Sequence, residues 1–278
     1  MHKTRIISGG IGFILLVAVI LAGSMAFTAA ITLLSLIGMF EFYNAVSKGG
    51  YKPVRIIGYI SCLVIFIVGL QAGENNLSFL FNIEYITFGL FAMICILFSY
   101  VVFTENKVNI NDISLTFFGI FYVVFLFSFV VLTRNMEAGQ YYIWLVFIGA
   151  FATDTFAYIF GNLIGKTKIL PVISPKKSLE GSIGGIVGCV LLMLIYGLII
   201  DSMGWVKDSV ALYHFIVIGI LCGVISQIGD WAASAIKRYI GVKDYGRIMP
   251  GHGGVLDRFD SILFVAPVIY FYFSFFIR

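Results

Sequence analysis

The sequence predicts an all-α, polytopic membrane protein with about nine transmembrane helices, a cytoplasmic N-terminus and a C-terminus outside. Its composition, its apolar runs and the placement of its basic residues support this fold class. Of 278 residues, 60% are hydrophobic and only 12% are charged, whereas soluble domains carry about 25% charged residues. A soluble chain of this length cannot bury so much apolar surface, so lipid must solvate much of it.

Nine apolar runs approach the length of about 20 residues that a membrane-crossing helix needs. The first run follows Met-His-Lys-Thr-Arg and resembles a secretory signal. A second run begins directly after Gly23 and Ser24, so we expect a retained first span. The predicted spans are approximately 6–22, 25–46, 54–71, 78–103, 113–132, 140–164, 182–200, 211–233 and 261–277.

Lysine and arginine stay on the cytoplasmic side during membrane insertion, so their placement predicts the orientation. With the N-terminus inside, the outer segments hold only Arg134, Lys207 and Arg278. An odd number of spans agrees with this bias. The inner segments hold Lys3, Arg5, Lys48, Lys52, Arg55, Lys107, Lys166, Lys168, Lys176, Lys177, Lys237, Arg238, Lys243, Arg247 and Arg258.

The charge distribution also divides the chain into two predicted parts. Residues 1–135 form aromatic-rich spans with short loops, expected to serve packing, dimer formation or lipid contact. Residues 136–278 are the expected catalytic part, because polar residues gather in two predicted cytoplasmic loops, 165–181 and 234–260. Glycines spaced by four residues predict close helix packing. These pairs are Gly161 and Gly165, Gly181 and Gly185, Gly184 and Gly188, and Gly219 and Gly223.

Asp154 is predicted to lie near the middle of the sixth span. A carboxylate there costs about 2.5–3.5 kcal/mol on insertion scales, so a partner or a wet cavity must compensate. Thr153, Thr155 and Tyr158 place polar atoms nearby, which favours a functional carboxylate. The alternative is a structural hydrogen bond to a neighbouring helix.

Asp230 closes the eighth predicted span, and Ser234 and Lys237 follow at four and seven residues. This spacing places all three on one helical face, with Arg238 close to the same face. The alternative is a solvated helix end anchored by the interfacial Trp231. That alternative explains the cations but leaves the carboxylate on the membrane side without a role.

The loop after this helix combines a glycine-rich turn with charged side chains. The turn offers backbone amides that suit phosphate oxygens, and His252 lies within it. Asp257 and Asp260 offer hard oxygen ligands for a divalent cation. The turn residues are Pro250, Gly251, Gly253 and Gly254.

The other polar loop contains Ser174-Pro-Lys-Lys-Ser178, directly before a predicted helix start. Free amides and the positive helix dipole favour phosphate there, although the lysines also suit orientation signals or contacts with anionic lipid. Thiolate clusters and a histidine set for zinc are missing from the sequence. Carboxylates for magnesium and cations for phosphate are the parts of phosphoryl or nucleotidyl transfer.

The sequence resembles the bacterial phosphatidate cytidylyltransferase (CDP-diglyceride synthetase) family. The C-terminal signature extends over 27 residues at fixed spacing, and the blocks Asp154-Thr-Phe-Ala-Tyr-x-x-Gly and Ser-Pro-Lys-Lys-Ser-x-Glu-Gly are also similar. The signature residues are Ser234, Lys237, Arg238, Lys243, Asp244, Pro250, His252, Gly253, Gly254, Asp257, Arg258 and Asp260. The sequence departs from the usual residues of the family at Met249, Ser178, Leu179 and Asn162.

The resemblance implies a multi-pass inner-membrane enzyme that makes CDP-diacylglycerol and pyrophosphate from CTP and phosphatidic acid at its cytoplasmic side. Mg²⁺ is the implied cofactor, alone or with a second cation; membrane lipid is a partner, nucleic acid is not, and a homodimer is compatible. The implied catalytic residues are Asp230, Asp257, Lys237 and Asp260, and the implied metal ligands are Asp230, Asp257 and Asp154. The implied substrate-binding residues are Ser174, Lys176, Lys177, Ser234, Arg238, Lys243, Asp244, His252, Gly253, Gly254 and Arg258.

Two rival functions stay open at this point. A CTP-dependent kinase of polyprenol or phytol would transfer the γ-phosphoryl group and release CDP. An ion-coupled transporter also uses intramembrane carboxylates, but it predicts matching interrupted spans in two halves of the chain. The paired-aspartate motif of CDP-alcohol phosphotransferases is absent from the sequence.

Overall fold

The computed structural model describes residues 2–71, 83–105, 107–206, 210–249, 251 and 253–277, and the side chains of residues 2–7 and 71 are not described. This part is almost entirely helical, as predicted. The helices are α1 (His2–Leu21), α2 (Ser24–Lys48), α3 (Arg55–Gln71), α4 (Ile83–Phe103), α5 (Ile110–Gly119), α6 (Leu126–Arg134), α7 (Gly139–Ile164), α8 (Leu179–Ser202), α9 (Leu212–Ile240) and α10 (Leu256–Phe276), with a π-helical segment (Ile120–Phe125) joining α5 to α6.

Seven of the described helical stretches are long and apolar enough to cross a membrane. Two shorter apolar helices, Ser8–Leu21 and Arg55–Leu70, fall below that length. The chain is therefore a multi-pass membrane protein, and the number of nine membrane spans stays a prediction. The seven stretches are Ser24–Lys48, Ile83–Phe103, Ile110–Arg134, Gly139–Ile164, Leu179–Ser202, Leu212–Ile240 and Leu256–Phe276.

The chain forms two compact units. The first comprises Met1–Val131 together with Ile240–Val255, and the second comprises Leu132–Tyr239 together with Leu256–Arg278. The first division lies close to the predicted boundary at residue 135. The return of Ile240–Val255 to the first unit was not predicted. The different roles assigned to the two parts stay predictions.

In the first unit, α2 packs through aromatic side chains against α3 and α5. The Tyr43 hydroxyl donates a hydrogen bond to the Thr116 carbonyl oxygen (3.1 Å). The Phe42 ring lies 5.9 Å, centroid to centroid, from the Tyr122 ring of the π-helical segment. Gly119 leaves room for both aromatic side chains, since a Cβ atom there would lie 2.9 Å from atoms of each. A π-helix differs from an α-helix in that its backbone hydrogen bonds join residues five apart in sequence.

The second unit is built from α7, α8, α9 and α10, with small residues where the helices cross. A Cβ atom at Gly185 would lie 2.9 Å from the Thr153 carbonyl oxygen of α7, and one at Gly181 would lie 2.8 Å from that of Ala157. At Gly219 of α9, a Cβ atom would lie 2.7 Å from the Val190 Cα atom of α8. The predicted close approach of helices at these glycines is confirmed.

The two predicted cytoplasmic loops are shorter than expected. Residues 165–181 contain an antiparallel hairpin of β1 (Lys168–Leu170) and β2 (Ser174–Ser178), which was not predicted. Residues 234–240 continue α9, and residues 256–260 begin α10. The expected loop 234–260 is therefore confined to 241–255, because its flanking polar residues extend the helices beyond their apolar cores.

Candidate active site

The hairpin places one lysine toward the helices and the next away from them. Lys176 is exposed, whereas the Lys177 side chain is 30% exposed. Successive side chains in a strand point to opposite faces, so neighbouring lysines in β2 have different surroundings. The resemblance implied the same role for both lysines, and their surroundings in the structure differ.

Hydrogen bonds fix the junction between the hairpin and α8. Ser178 is the N-cap residue, and its hydroxyl accepts a hydrogen bond from the Gly181 amide (3.3 Å). The Glu180 carboxylate accepts hydrogen bonds from the backbone amides of Lys166 (3.0 Å) and Thr167 (3.2 Å). The Leu179 amide donates to the Thr167 carbonyl oxygen (2.9 Å). Lys177 is thereby held one residue before a capped helix start.

The Lys177 ammonium forms an ion pair with Asp230 of α9, with Nζ 2.5 Å from Oδ2. Burial by itself would lower the pKa of Lys177. The carboxylates of Asp230, Asp154 and Asp260 overcome that effect and raise the pKa of Lys177 above its ordinary value. The ammonium group therefore stays protonated, facing three carboxylates.

A second ion pair joins the end of α9 to the start of α10. The Lys237 Nζ donates to Asp257 Oδ1 at 2.7 Å, and the two side chains are only 12% and 3% exposed. Lys237 lies seven residues after Asp230 on the same helix, as the predicted helical face requires. The structure thus pairs two of the three predicted metal-binding carboxylates, Asp230 and Asp257, with a lysine.

Asp154 of α7 meets α10 rather than its own helical neighbours. The Ser261 hydroxyl lies 3.4 Å from Asp154 Oδ2 and 3.2 Å from the Ser226 carbonyl oxygen of α9. The expected support from Thr153, Thr155 and Tyr158 was wrong. Thr153 donates back to the Gly149 carbonyl oxygen (2.6 Å), and the other two side chains are exposed.

Four carboxylates and three cations are connected through ion pairs and electrostatic interactions between neighbouring members. Asp260 is buried and interacts with Asp230, Asp154 and Lys237, and Asp154 also interacts with Arg258. We call this set the acidic cluster. Its carboxylates are Asp154, Asp230, Asp257 and Asp260, and its cations are Lys177, Lys237 and Arg258.

The acidic cluster offers the ligand chemistry of a hard divalent cation, since carboxylate oxygens are what Mg²⁺ binds. Across the described ranges, no three histidine, cysteine, aspartate or glutamate side chains are already grouped as a metal site. Ammonium groups contact Asp230 and Asp257 instead. The residues fit Mg²⁺ by donor type, since each of these carboxylates keeps a second oxygen outside the lysine contact described above.

Other predicted substrate-binding residues lie around the hairpin and helix ends of the second unit. Ser174 and Ser234 are partly buried, whereas Arg238 and Arg258 are exposed. Ser174 begins β2 and pairs with Leu170.

The remaining predicted residues belong to the segment 241–255 of the first unit. Lys243 and Asp244 are exposed, and Gly254 is buried. Gly253 has a φ of 88° and bridges to Met249, whose amide donates to the Gly253 carbonyl oxygen (2.9 Å). His252 lies outside the described residues.

Sequence reasoning missed Ser261 and Gln227. Gln227 is buried, and its Nε2 donates to the carbonyl oxygens of Gly223 (2.8 Å) and Ser182 (3.2 Å), which ties α9 to the start of α8. The sequence positions of these two residues indicated their closeness to the site. Gln227 lies three residues before Asp230 and Ser261 one residue after Asp260, so both share helix turns with predicted site residues.

The fold defines a multi-pass membrane protein, and its acidic cluster gathers carboxylates and cations in one place. The sequence profile of the cytidylyltransferase family matches residues 3–276. The chain belongs to this family.

Named relatives match over almost the whole chain. The phosphatidate cytidylyltransferase of Staphylococcus saprophyticus is 36% identical over 267 residues, which covers 96% of this chain and 97% of that protein. The phosphatidate cytidylyltransferase of Staphylococcus haemolyticus is 34% identical with the same coverage. That of Staphylococcus aureus is 34% identical over 269 residues.

Proposed function

We propose that this protein is a phosphatidate cytidylyltransferase, which makes CDP-diacylglycerol and pyrophosphate from CTP and phosphatidic acid. The observation that carries the proposal is the pairing of Lys177 with Asp230 and of Lys237 with Asp257. It occurs in a chain that matches the family profile almost from end to end. Carboxylates interleaved with cations suit two substrates that both carry phosphate.

The proposed reaction joins two phosphates. A phosphate oxygen of phosphatidic acid forms a bond to the α-phosphorus of CTP. The bond from that phosphorus to the oxygen bridging to the β-phosphorus breaks, and pyrophosphate leaves with that oxygen. The attacking phosphate is already anionic near neutral pH, so no strong general base is needed. Catalysis then rests on positioning and charge stabilisation.

The proposed roles follow from charge and placement. Lys177, Lys237 and Arg258 neutralise the phosphates of the two substrates, and Asp154 and Asp260 surround the reacting groups. Mg²⁺ at Asp230 and Asp257 would supply further charge neutralisation for the phosphates. The ammonium groups of Lys177 and Lys237 would donate hydrogen bonds to phosphate oxygens.

The proposed location is the cytoplasmic side of the cell membrane, with the N-terminus inside and the C-terminus outside after nine spans. The excess of lysine and arginine in the predicted inner segments supports this orientation. CTP is cytosolic, and phosphatidic acid presents its head group at the inner surface. A reporter enzyme fused after residue 278 should be active outside the cytoplasm, and activity only in the cytoplasm would reverse the assignment.

Two labels of CTP test the reaction directly. With label on the α-phosphorus, purified protein should transfer it to lipid when phosphatidic acid and Mg²⁺ are present. When the γ-phosphorus carries the label, the label should appear only in pyrophosphate. Transfer of the γ-label to lipid would identify a CTP-dependent kinase, and no transfer by folded protein would favour transport.

A further inference from the structure

A buried carboxylate in the first unit has no role in the reaction described above. Glu41 lies in α2, within a candidate membrane span, and only 2% of it is exposed. A charged group at such a position is costly unless polar partners compensate. Its surroundings therefore indicate what it does.

The Glu41 carboxylate lies against the main chain of segment 241–255 at Gly246 and Gly254. A Cβ atom at Gly254 would lie 2.5 Å from both carboxylate oxygens, and one at Gly246 would overlap Oε1. Only glycine allows the main chain to approach a carboxylate this closely. The Glu41 carboxylate therefore packs directly against the main chain at these two glycines.

Two further contacts align the same segment with α2. The Tyr245 side chain is 2% exposed, and its ring lies 6.3 Å, centroid to centroid, from that of Phe42. A Cβ atom at Gly49 would lie 3.0 Å from the Ile240 Cγ2 atom. Gly49 is the C-cap residue of α2 and lies eight residues after Glu41 and seven after Phe42, so it continues the side of the helix that carries them.

We propose that Glu41 is a positioning residue, which holds segment 241–255 in the conformation that binds CTP. This inference rests on the proposed function, because Lys243, Asp244 and Gly253 in that segment are the expected substrate contacts. The segment also connects α9 to α10, the helices that carry Asp230 and Asp257. Glu41 thereby contributes to the reaction without touching the substrate itself.

Asp112 provides a matched control. It is also buried (2% exposed) in the first unit, and it accepts hydrogen bonds from the backbone amides of Lys52 (2.6 Å) and Asn109 (2.9 Å). Both partners lie outside segment 241–255. Asp112→Asn therefore neutralises a buried carboxylate of the same unit whose backbone partners lie in a different part of the chain.

The test compares Glu41→Gln, Glu41→Asp and Asp112→Asn by hydrogen exchange and by turnover. In Glu41→Gln, amides of residues 241–255 should exchange at least about tenfold faster, because a neutral amide holds backbone donors less strongly. The KM for CTP should rise about tenfold, with a smaller change in kcat and in the KM for phosphatidic acid. Glu41→Asp should recover part of both effects. In Asp112→Asn, exchange in this segment should match the wild type.

Unchanged exchange in Glu41→Gln, or an equal increase in Asp112→Asn, overturns the inference. Gly246→Ala serves as a second variant if Glu41→Gln does not fold, because a Cβ atom there overlaps Glu41 Oε1 and Gly246 is not among the expected substrate contacts; exchange in segment 241–255 and the CTP KM should rise likewise. Exchange does not depend on turnover, so failure of the proposed function is distinguishable: wild-type protein would make no CDP-diacylglycerol while Glu41→Gln still loosened the segment.

Discussion

Asp257→Asn is expected to lower the turnover of CTP by roughly a thousandfold at saturating substrate and Mg²⁺. The substitution removes a charge that the proposed metal requires, and it leaves the Lys237 ammonium without the carboxylate it contacts at 2.7 Å. Breaking a buried ion pair from one side also costs about 3–5 kcal/mol of stability. Turnover and thermal unfolding are measured on the same purified sample, with the exposed Asp201→Asn as control.

A double variant separates catalysis from stability at this ion pair. Replacing both partners, as Lys237→Met with Asp257→Leu, should return the unfolding temperature close to that of the wild type, because matched apolar side chains tolerate burial. Turnover should stay at the level of Asp257→Asn. Near-normal turnover in Asp257→Asn, or recovery of turnover in the double variant, would rule out a catalytic role for this pair.

Lys177→Met is expected to lower turnover by about a hundredfold, chiefly through kcat. Lys177 contacts Asp230 and faces two further carboxylates, so it lies where substrate phosphates and metal are proposed to meet. Lys176→Met should have a much smaller effect, since that side chain points away and is exposed. Steady-state kinetics with both substrates measure the difference.

Lys168→Met controls for the loss of a basic residue from the hairpin. Lys168 is exposed in β1, and the Lys168→Met substitution should leave turnover unchanged. Equal losses in Lys176→Met and Lys177→Met would refute the distinction that strand alternation makes between the two lysines. They would indicate instead that the hairpin attracts anionic lipid through its net charge.

The sequence predicted the helices well because lipid imposes a simple rule on them. An apolar run of sufficient length must be helical, since its backbone groups have no other partners in hydrocarbon. The helical face of Asp230, Ser234 and Lys237 was predictable for a related reason, because spacing within one helix determines direction. The glycine pairs of α8 and α9 likewise allowed close helix packing to be predicted from spacing alone.

The hairpin and the helix ends were less predictable. β2 reads Ser-Pro-Lys-Lys-Ser, which lacks the branched and aromatic residues typical of strands. β2 pairs with β1, and the Glu180 carboxylate accepts hydrogen bonds from the Lys166 and Thr167 amides beside the hairpin; strand propensity predicts neither contact. The extension of α9 to Ile240 and the start of α10 at Leu256 were underestimated, because apolarity marks the membrane core and not the end of a helix.

Partners from distant parts of the chain were the hardest to predict. Asp154 and Ser261 are 107 residues apart in sequence, and helical spacing carries no information about such a contact. Glu41 did give a signal that was overlooked, since it is an acidic residue inside a predicted span. Its relation to Gly246 and Gly254 required the structure.

The most direct measurement of the proposed reaction is its stoichiometry. Detergent-purified protein is given CTP, phosphatidic acid and Mg²⁺, and consumed CTP, CDP-diacylglycerol and pyrophosphate are quantified together. We predict equal molar amounts of all three, and no product when Mg²⁺ is chelated. Release of CDP in place of pyrophosphate, or full activity in the presence of chelator, would contradict nucleotidyl transfer at the acidic cluster.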